Sequence, residues 1–207
     1  MRQEELAARL AVSRAPVRQA LVMLEREGLV VSDRWRGAVV APLDVPLIKD
    51  LYEFRGVIER YVGWTLASRK IADTQALRRI VEAGRQAAQA GDVARLIDLD
   101  LRFHTALYEA VGNRVLLDVM NGHWMHTRRV MAMTLKERGY PKTAWDEHAG
   151  ILEAIELGDP DLASQRAAAH IAAAAVRIVD TFTTGLSRTE PAAASATRKP
   201  SRSLRRR

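Results

Sequence analysis

Glu5-Leu6-Ala7-Ala8-Arg9-Leu10-Ala11-Val12-Ser13-Arg14-Ala15-Pro16-Val17-Arg18-Gln19-Ala20-Leu21 carries two short helical patterns with a turn between them. In the first, Gln3 to Leu10, Leu6 and Leu10 share one face. Ala11-Val12 makes the turn, and the Ser13 hydroxyl is placed to cap the second helix. Pro16 does no harm in that first turn, because the early N–H groups have no intrahelical partner. Val17, Ala20, Leu21 and Leu24 form the i, i+3, i+4, i+7 stripe expected to pack inward. Arg14 and Arg18, one turn apart, project from the other side near the helix start. A recognition helix enters the major groove at that end, where arginine can bond a guanine edge twice over. Gly28 stops the helix. Leu29-Val30-Val31 and Ala38-Val39-Val40 then form a hairpin around residues 32–37, whose two arginines and one glycine suit close approach to phosphate or the minor groove. In that order the parts read as a winged helix-turn-helix rather than a small helical domain with a charged face.

This segment, with Leu24-Glu25-Arg26-Glu27-Gly28-Leu29-Val30 behind it, resembles the GntR family of winged-helix regulators. The resemblance implies that Arg14 and Arg18 contact an operator, with Ala15 and Pro16 near bases and Arg36-Gly37 in the wing. It also implies a homodimer on near-palindromic double-stranded DNA. Members of the family have a further helix ahead of this segment. The expectation here is therefore a domain incomplete at its N-terminus, through truncation or a misassigned start. Leu6, Leu10 and Leu21 would then lie exposed, a loss of several kcal/mol at about 25 cal/mol per Å² of apolar surface.

Outward from the motif the pattern changes twice. Residues 1–40 form the winged unit, and residues 41–46 (Ala-Pro-Leu-Asp-Val-Pro) are a proline-bracketed linker. Residues 47–185 are helical almost throughout, with breaks at 71–73, 90–92, Gly112-Asn113, 139–141 and 158–160. Asp73, Asp92 and Asp159 can accept N–H bonds at helix starts, and Gly112 can close a helix. The fold class is mainly α: a truncated winged helix-turn-helix followed by an antiparallel all-helical bundle of about six helices. Residues 186–207, rich in Ala, Ser, Thr and Arg, read as a basic disordered tail.

Charge follows the same division. The 207 residues carry a net +7, of which the tail from Ser187 supplies seven basic side chains against one acid. Bulk basicity alone is thus weak support for DNA binding. Cysteine is absent, which excludes disulfides, thiolate metal sites and cysteine nucleophiles. No apolar run approaches the roughly 20 residues that cross a bilayer, since His170 and Arg177 interrupt the richest stretch. The first residues lack the apolar core of a signal peptide, so the expected compartment is the cytoplasm, with no membrane partner.

Within the helical region, Leu96, Leu99, Phe103 and Leu107 mark an inward stripe, and Asp100 and His104 lie in or beside it. His148 falls on the apolar face of the helix holding Trp145, Ile151, Leu152 and Ile155. His170 sits among Ala163, Ala167, Ala174 and Ile178. Three imidazoles and a carboxylate from three helices thus aim inward. Each is either a core residue with its own buried partner or one ligand of a shared divalent metal. Arg55 lies on the stripe of Ile48, Leu51, Ile58 and Val62, and a buried arginine wants an anion. Glu59, one turn on, can supply it; so can the carboxylate of a bound effector. His123 and His126 flank Trp124 at a spacing that fits a pocket or plain surface decoration.

Residues 47–184 resemble the FCD domain, the all-helical ligand-binding domain of the FadR-type GntR branch. The matching marks are Leu51-Tyr52-Glu53-Phe54-Arg55 with Glu59, Asp100-Leu101-Arg102-Phe103-His104 followed by Gly112-Asn113, Glu147-His148, and Ala167-Ala168-Ala169-His170. The resemblance implies Asp100, His104, His148 and His170 as ligands of a divalent metal, zinc foremost, with nickel or manganese as alternatives. It implies a small organic-acid effector at the remaining coordination positions. Arg55 is a candidate to hold that acid, and Asn113 a weaker one because Gly-Asn is also a common helix stop. Catalysis is the rival chemistry, since such a metal could activate water. No positioned base or nucleophile accompanies the quartet, and the winged motif would go unused. A second rival is a sensor or dimerisation protein that has lost DNA binding.

Overall fold

The computed structural model describes residues 2–35, 37–70, 73–138 and 143–189, with backbone alone for 136–138 and 185–189. Its winged part is α1 (Gln3–Leu10), α2 (Arg14–Arg26), β1 (Val30–Asp33) and β2 (Gly37–Val40). Ala11 takes a left-handed conformation at the end of α1, and Val12 N–H donates to the Ala7 carbonyl to close the turn. Ser13 is the N-cap of α2, yet its hydroxyl makes no capping bond, contrary to the sequence expectation. The α2 stripe is shallower than expected: Val17 is buried, Leu21 and Leu24 are half-buried, and Ala20 is exposed. Leu10 is 63% exposed, whereas Leu6 and Leu21 are half-buried. The strands pair antiparallel, Val30 opposite Val40 and Asp33 opposite Gly37. Leu29, Val30 and Ala41 tuck beneath them.

Among the described residues six helices follow: α3 (Val45–Ser68), α4 (Gln75–Ala90), α5 (Val93–Val111), α6 (Arg114–Arg138), α7 (Ala144–Leu157) and α8 (Pro160–Thr189). Asp44, Asp92 and Asp159 accept N–H bonds from Leu47, Arg95 and Leu162 at the starts of α3, α5 and α8. Those bonds satisfy donors that the helix itself leaves free. Gly112 ends α5 at φ +71°, a conformation that costs glycine nothing. α8 continues to Thr189, past residue 185, where the sequence pattern suggested that order ends. Alanine-rich sequence propagates a helix well once a packed stretch has nucleated it.

α3 packs along α8, and Gly63 makes their close approach possible: a Cβ there would stand 2.8 Å from the Ala163 carbonyl oxygen. The core between them and α5 and α7 holds Val62, Leu66, Phe103, Leu107, Ile151 and Ile155, all within 1% of full burial. α6 is the helix that reaches both parts of the chain. His126 Nε2 stands 2.8 Å from the Glu27 carbonyl at the end of α2, and Arg129 donates to the Ala41 carbonyl just after β2.

Candidate functional site

α2 exposes Arg14, Ala15, Pro16 and Arg18 together along its first turns. Arg14 reaches Glu4 of α1 at 3.3 Å, with both side chains about two-thirds exposed. Such a pair contributes about 0–1 kcal/mol in water and yields readily to a phosphate or a base. Gly37 opens β2, exposed, at φ +71°. Arg36 lies outside the described residues. Trp35, which sequence reasoning passed over, is 84% exposed at the hairpin tip with Arg34 near its ring. A lone aromatic between two strands and beside an arginine was the signal for it.

The inward-facing quartet comes together. Asp100 and His104 from α5, His148 from α7 and His170 from α8 are all buried, and one ligand atom of each lies within 4.8 Å of every other. His148 Nε2 stands 3.2 Å from His104 Nε2 and 3.4 Å from Asp100 Oδ1. His104 Nδ1 stands 2.7 Å from Glu59 Oε1, and His170 Nδ1 donates to Glu147 Oε2 at 2.7 Å. Those outer contacts engage Nδ1 of His104 and of His170, while His104 Nε2 meets His148 Nε2 within the quartet.

Protonation states fit the same use. Burial takes His148 down to about 3 and also lowers His104, so both imidazoles are neutral at ordinary pH. Burial works against the Asp100 and Glu59 carboxylates, but donated imidazole hydrogens and the Arg55 charge outweigh it. Asp100 is held well below the usual range, and Glu59 at about 2. Three imidazoles and one carboxylate, with one ligand atom of each within 4.8 Å of every other, fit a divalent transition metal. His148 Nδ1 is buried with no hydrogen-bond partner.

A cavity of about 250 Å³ opens beside the quartet, and Asp100 and His170 form part of its wall. Arg55 and Arg177 bring two positive charges to it. Thr134, Thr181 and Asp180 add polar groups, and Met131, Leu135 and Ile178 make the apolar side. Arg55 answers the question of its anion twice. Its Nε donates to Glu59 at 3.4 Å, its Nη2 stands 3.8 Å from Asp100, and the residue also lines the cavity. Asn113 is not brought to the cavity. It is exposed, and its Oδ1 accepts from Leu116 N at the start of α6, the capping role that Gly-Asn commonly takes. Neither His123 nor His126 is surface decoration: His123 is buried against Phe54, and His126 meets the winged part. Glu147 and Arg177 were missed as site residues, although an arginine interrupting the alanine-rich α8 one heptad after His170 marked the face.

Comparison with known proteins bears on the whole chain. Residues 50–173 match the FCD domain, and residues 1–40 match the gntR family of bacterial regulatory proteins. The chain belongs to the GntR family. It is a transcriptional regulator of the GntR type with an FCD domain. It is 28% identical, over 84% of its length and 76% of the relative's, to a Paenarthrobacter nicotinovorans protein named as a D-xylose utilization operon transcriptional repressor. It is 30% identical, over 82% of its length and 73% of the relative's, to an Escherichia coli K12 protein named as an L-lactate dehydrogenase operon regulatory protein. A GntR regulator from Rhodococcus sp. RHA1 has the same fold, with a TM-score of 0.74 at 21% identity, covering 87% of this chain and 86% of that one. These relatives are regulators, not enzymes. Among the described residues no helix is long and apolar enough to cross a membrane.

Proposed function

We propose that this chain is a ligand-responsive, DNA-binding transcription regulator, acting in the cytoplasm as a homodimer on a near-palindromic operator. Its helical domain senses a small carboxylate at a divalent metal site. The observation that carries this reading is the joint wall of the cavity: two ligands of the buried quartet and two arginines face one space of about 250 Å³. A carboxylate of a few carbons fits that volume. Guanidinium groups bond carboxylates through paired N–H donors. Asp100, His104, His148 and His170 would hold the metal, zinc before nickel or manganese, and the ion would supply concentrated positive charge to the same anion. One relative named for an L-lactate operon supports an organic acid as the effector class.

DNA is read by Arg14, Ala15, Pro16 and Arg18 on α2, with Arg36 and Gly37 in the wing. α6 supplies a physical route between the two functions. Met131, Thr134 and Leu135 of α6 line the cavity, while His126 and Arg129 of the same helix hold the end of α2 and the chain after β2. A ligand that favours one position of α6 biases the pose of the reading helix by its differential affinity for the two states.

Fluorescence anisotropy with the DNA upstream of the encoding gene tests the reading. Zinc-loaded protein is titrated alone and with a panel of small mono- and dicarboxylic acids. The expected result is salt-sensitive, sequence-preferring binding that at least one acid shifts by about fivefold or more. Equal affinity for upstream and random DNA would overturn operator recognition. Binding that no acid moves, with or without zinc, would overturn the sensing half.

A further inference from the structure

Each arginine that lines the cavity also holds a carboxylate, and each of those carboxylates reaches one imidazole of the quartet. Arg55 Nε donates to Glu59, and Glu59 Oε1 stands 2.7 Å from His104 Nδ1. Tyr108 fixes the same oxygen from another side, donating at 2.5 Å. Arg177 grips Glu147 with a two-pronged fork, Nη1 to Oε1 at 3.2 Å and Nη2 to Oε2 at 3.3 Å. Glu147 Oε2 in turn accepts from His170 Nδ1 at 2.7 Å. The two series, Arg55–Glu59–His104 and Arg177–Glu147–His170, start from α3 and from the α7–α8 pair.

We propose that Glu147, held by Arg177, is a positioning residue for the metal: it fixes the His170 ring so that Nε2 faces Asp100, His104 and His148. Glu59 stands beside the corresponding nitrogen of His104, 2.7 Å from Nδ1. The inference rests on the metal reading given above. An imidazole offers a lone pair on only one nitrogen when neutral, and an acceptor at the other nitrogen decides which. Glu147 supplies that acceptor for His170, whose ring also forms part of the cavity wall. It remains ionised there: burial raises it, but the His170 hydrogen bond and the Arg177 fork outweigh this and bring it down to about 2. Glu59 is completely buried with two donors, Arg55 Nε and the Tyr108 hydroxyl, on one oxygen, so its removal would disturb the core. Glu147 is more than a quarter exposed and can be replaced more safely.

The test measures zinc affinity by competition with a chromophoric chelator for the wild type, Glu147→Leu and Glu147→Gln, together with the visible spectrum of each protein loaded with Co²⁺. The melting temperature of each metal-free protein is recorded alongside. Leucine keeps the bulk and removes the acceptor, and zinc affinity is expected to fall about 10–100-fold. Glutamine keeps a carbonyl acceptor for Nδ1–H, so affinity is expected within a few-fold of wild type, with the wild-type Co²⁺ spectrum retained. A Glu147→Leu protein that binds zinc as tightly as wild type overturns the inference. So does a Glu147→Gln protein as weak as the leucine variant, since acceptor geometry would then not be the cause. Wild type that binds neither zinc nor Co²⁺ overturns the underlying metal reading instead.

Discussion

His123 sits one residue from the Trp124 ring that covers Arg55, and burial gives it a measurable pH signature. Burial first, then the charges of Arg55 and His126, bring it down to about 4 from 6.5. A base held below its unfolded value favours folding while neutral. Its contribution is therefore complete above about pH 6.5 and is lost as pH falls toward 4. His123→Leu keeps an apolar side chain against Phe54 and removes the proton site. The urea midpoint is expected to fall less steeply between pH 6.5 and 4.5 than in wild type; an unchanged slope would show that His123 takes up no proton on unfolding. At the quartet, His148→Ala is expected to lower the melting temperature of zinc-treated protein and to abolish stoichiometric metal, read by elemental analysis after dialysis. Retained stoichiometric metal would defeat the site. On the reading helix, Arg14→Ala and Arg18→Ala should each cost about 1–3 kcal/mol of discrimination between operator and mismatched DNA, by anisotropy. An unchanged ratio would remove that residue from base contact. The identity of the four inward groups was legible because helical periodicity alone puts them on apolar faces. Their outer partners were not, since Glu147 reaches His170 and Glu59 reaches His104 only across helix pairs.

Helices meet where side chains leave room, and two glycines show the same substitution with opposite sign. Gly84 of α4 lies against Trp145 of α7, where an added Cβ would stand 2.2 Å from the indole ring. Trp145 is fully buried and its ring lies 4.6 Å from that of His148. Gly84→Ala therefore forces the indole aside, with an expected loss of about 1–3 kcal/mol and a weaker metal site. Gly122 of α6 has nothing within 4 Å of its added Cβ. Gly122→Ala is expected to stabilise by about 0.5–1 kcal/mol, because alanine loses less backbone entropy in a helix. Paired thermal melts check both, and a neutral Gly84→Ala would mean that α4 and α7 shift apart without cost. Helix starts and stops were readable because aspartate caps and left-handed glycines act locally. The depth of burial along α2 was not, because it depends on what packs against Ala20 and Leu24 from elsewhere in the chain.

At the scale of the whole molecule, a two-fold operator demands two reading helices at a fixed separation. For the homodimer proposed above, the exposed face of α3 is the candidate contact. Phe54, Val57, Tyr61 and Trp64 follow one another along α3 at i, i+3, i+7 and i+10, and each is between 41% and 63% exposed. They lie on the side of α3 turned away from Arg55, Glu59 and Val62, so the same helix presents a buried ion pair inward and an apolar stripe outward. Water does not favour four large apolar groups in a row on a lone protein. The expected outcome is a dimer of wild type by sedimentation equilibrium at micromolar concentration. Val57→Glu combined with Trp64→Glu introduces two charges that a covered face cannot solvate, and should yield monomers. Those monomers should melt near the wild-type temperature at low protein concentration, because neither residue belongs to the core, and should bind a near-palindromic site at least tenfold more weakly. A doubly substituted protein that remains dimeric would assign the dimer contact to another face, and a monomeric wild type would leave the two-fold operator without its protein counterpart.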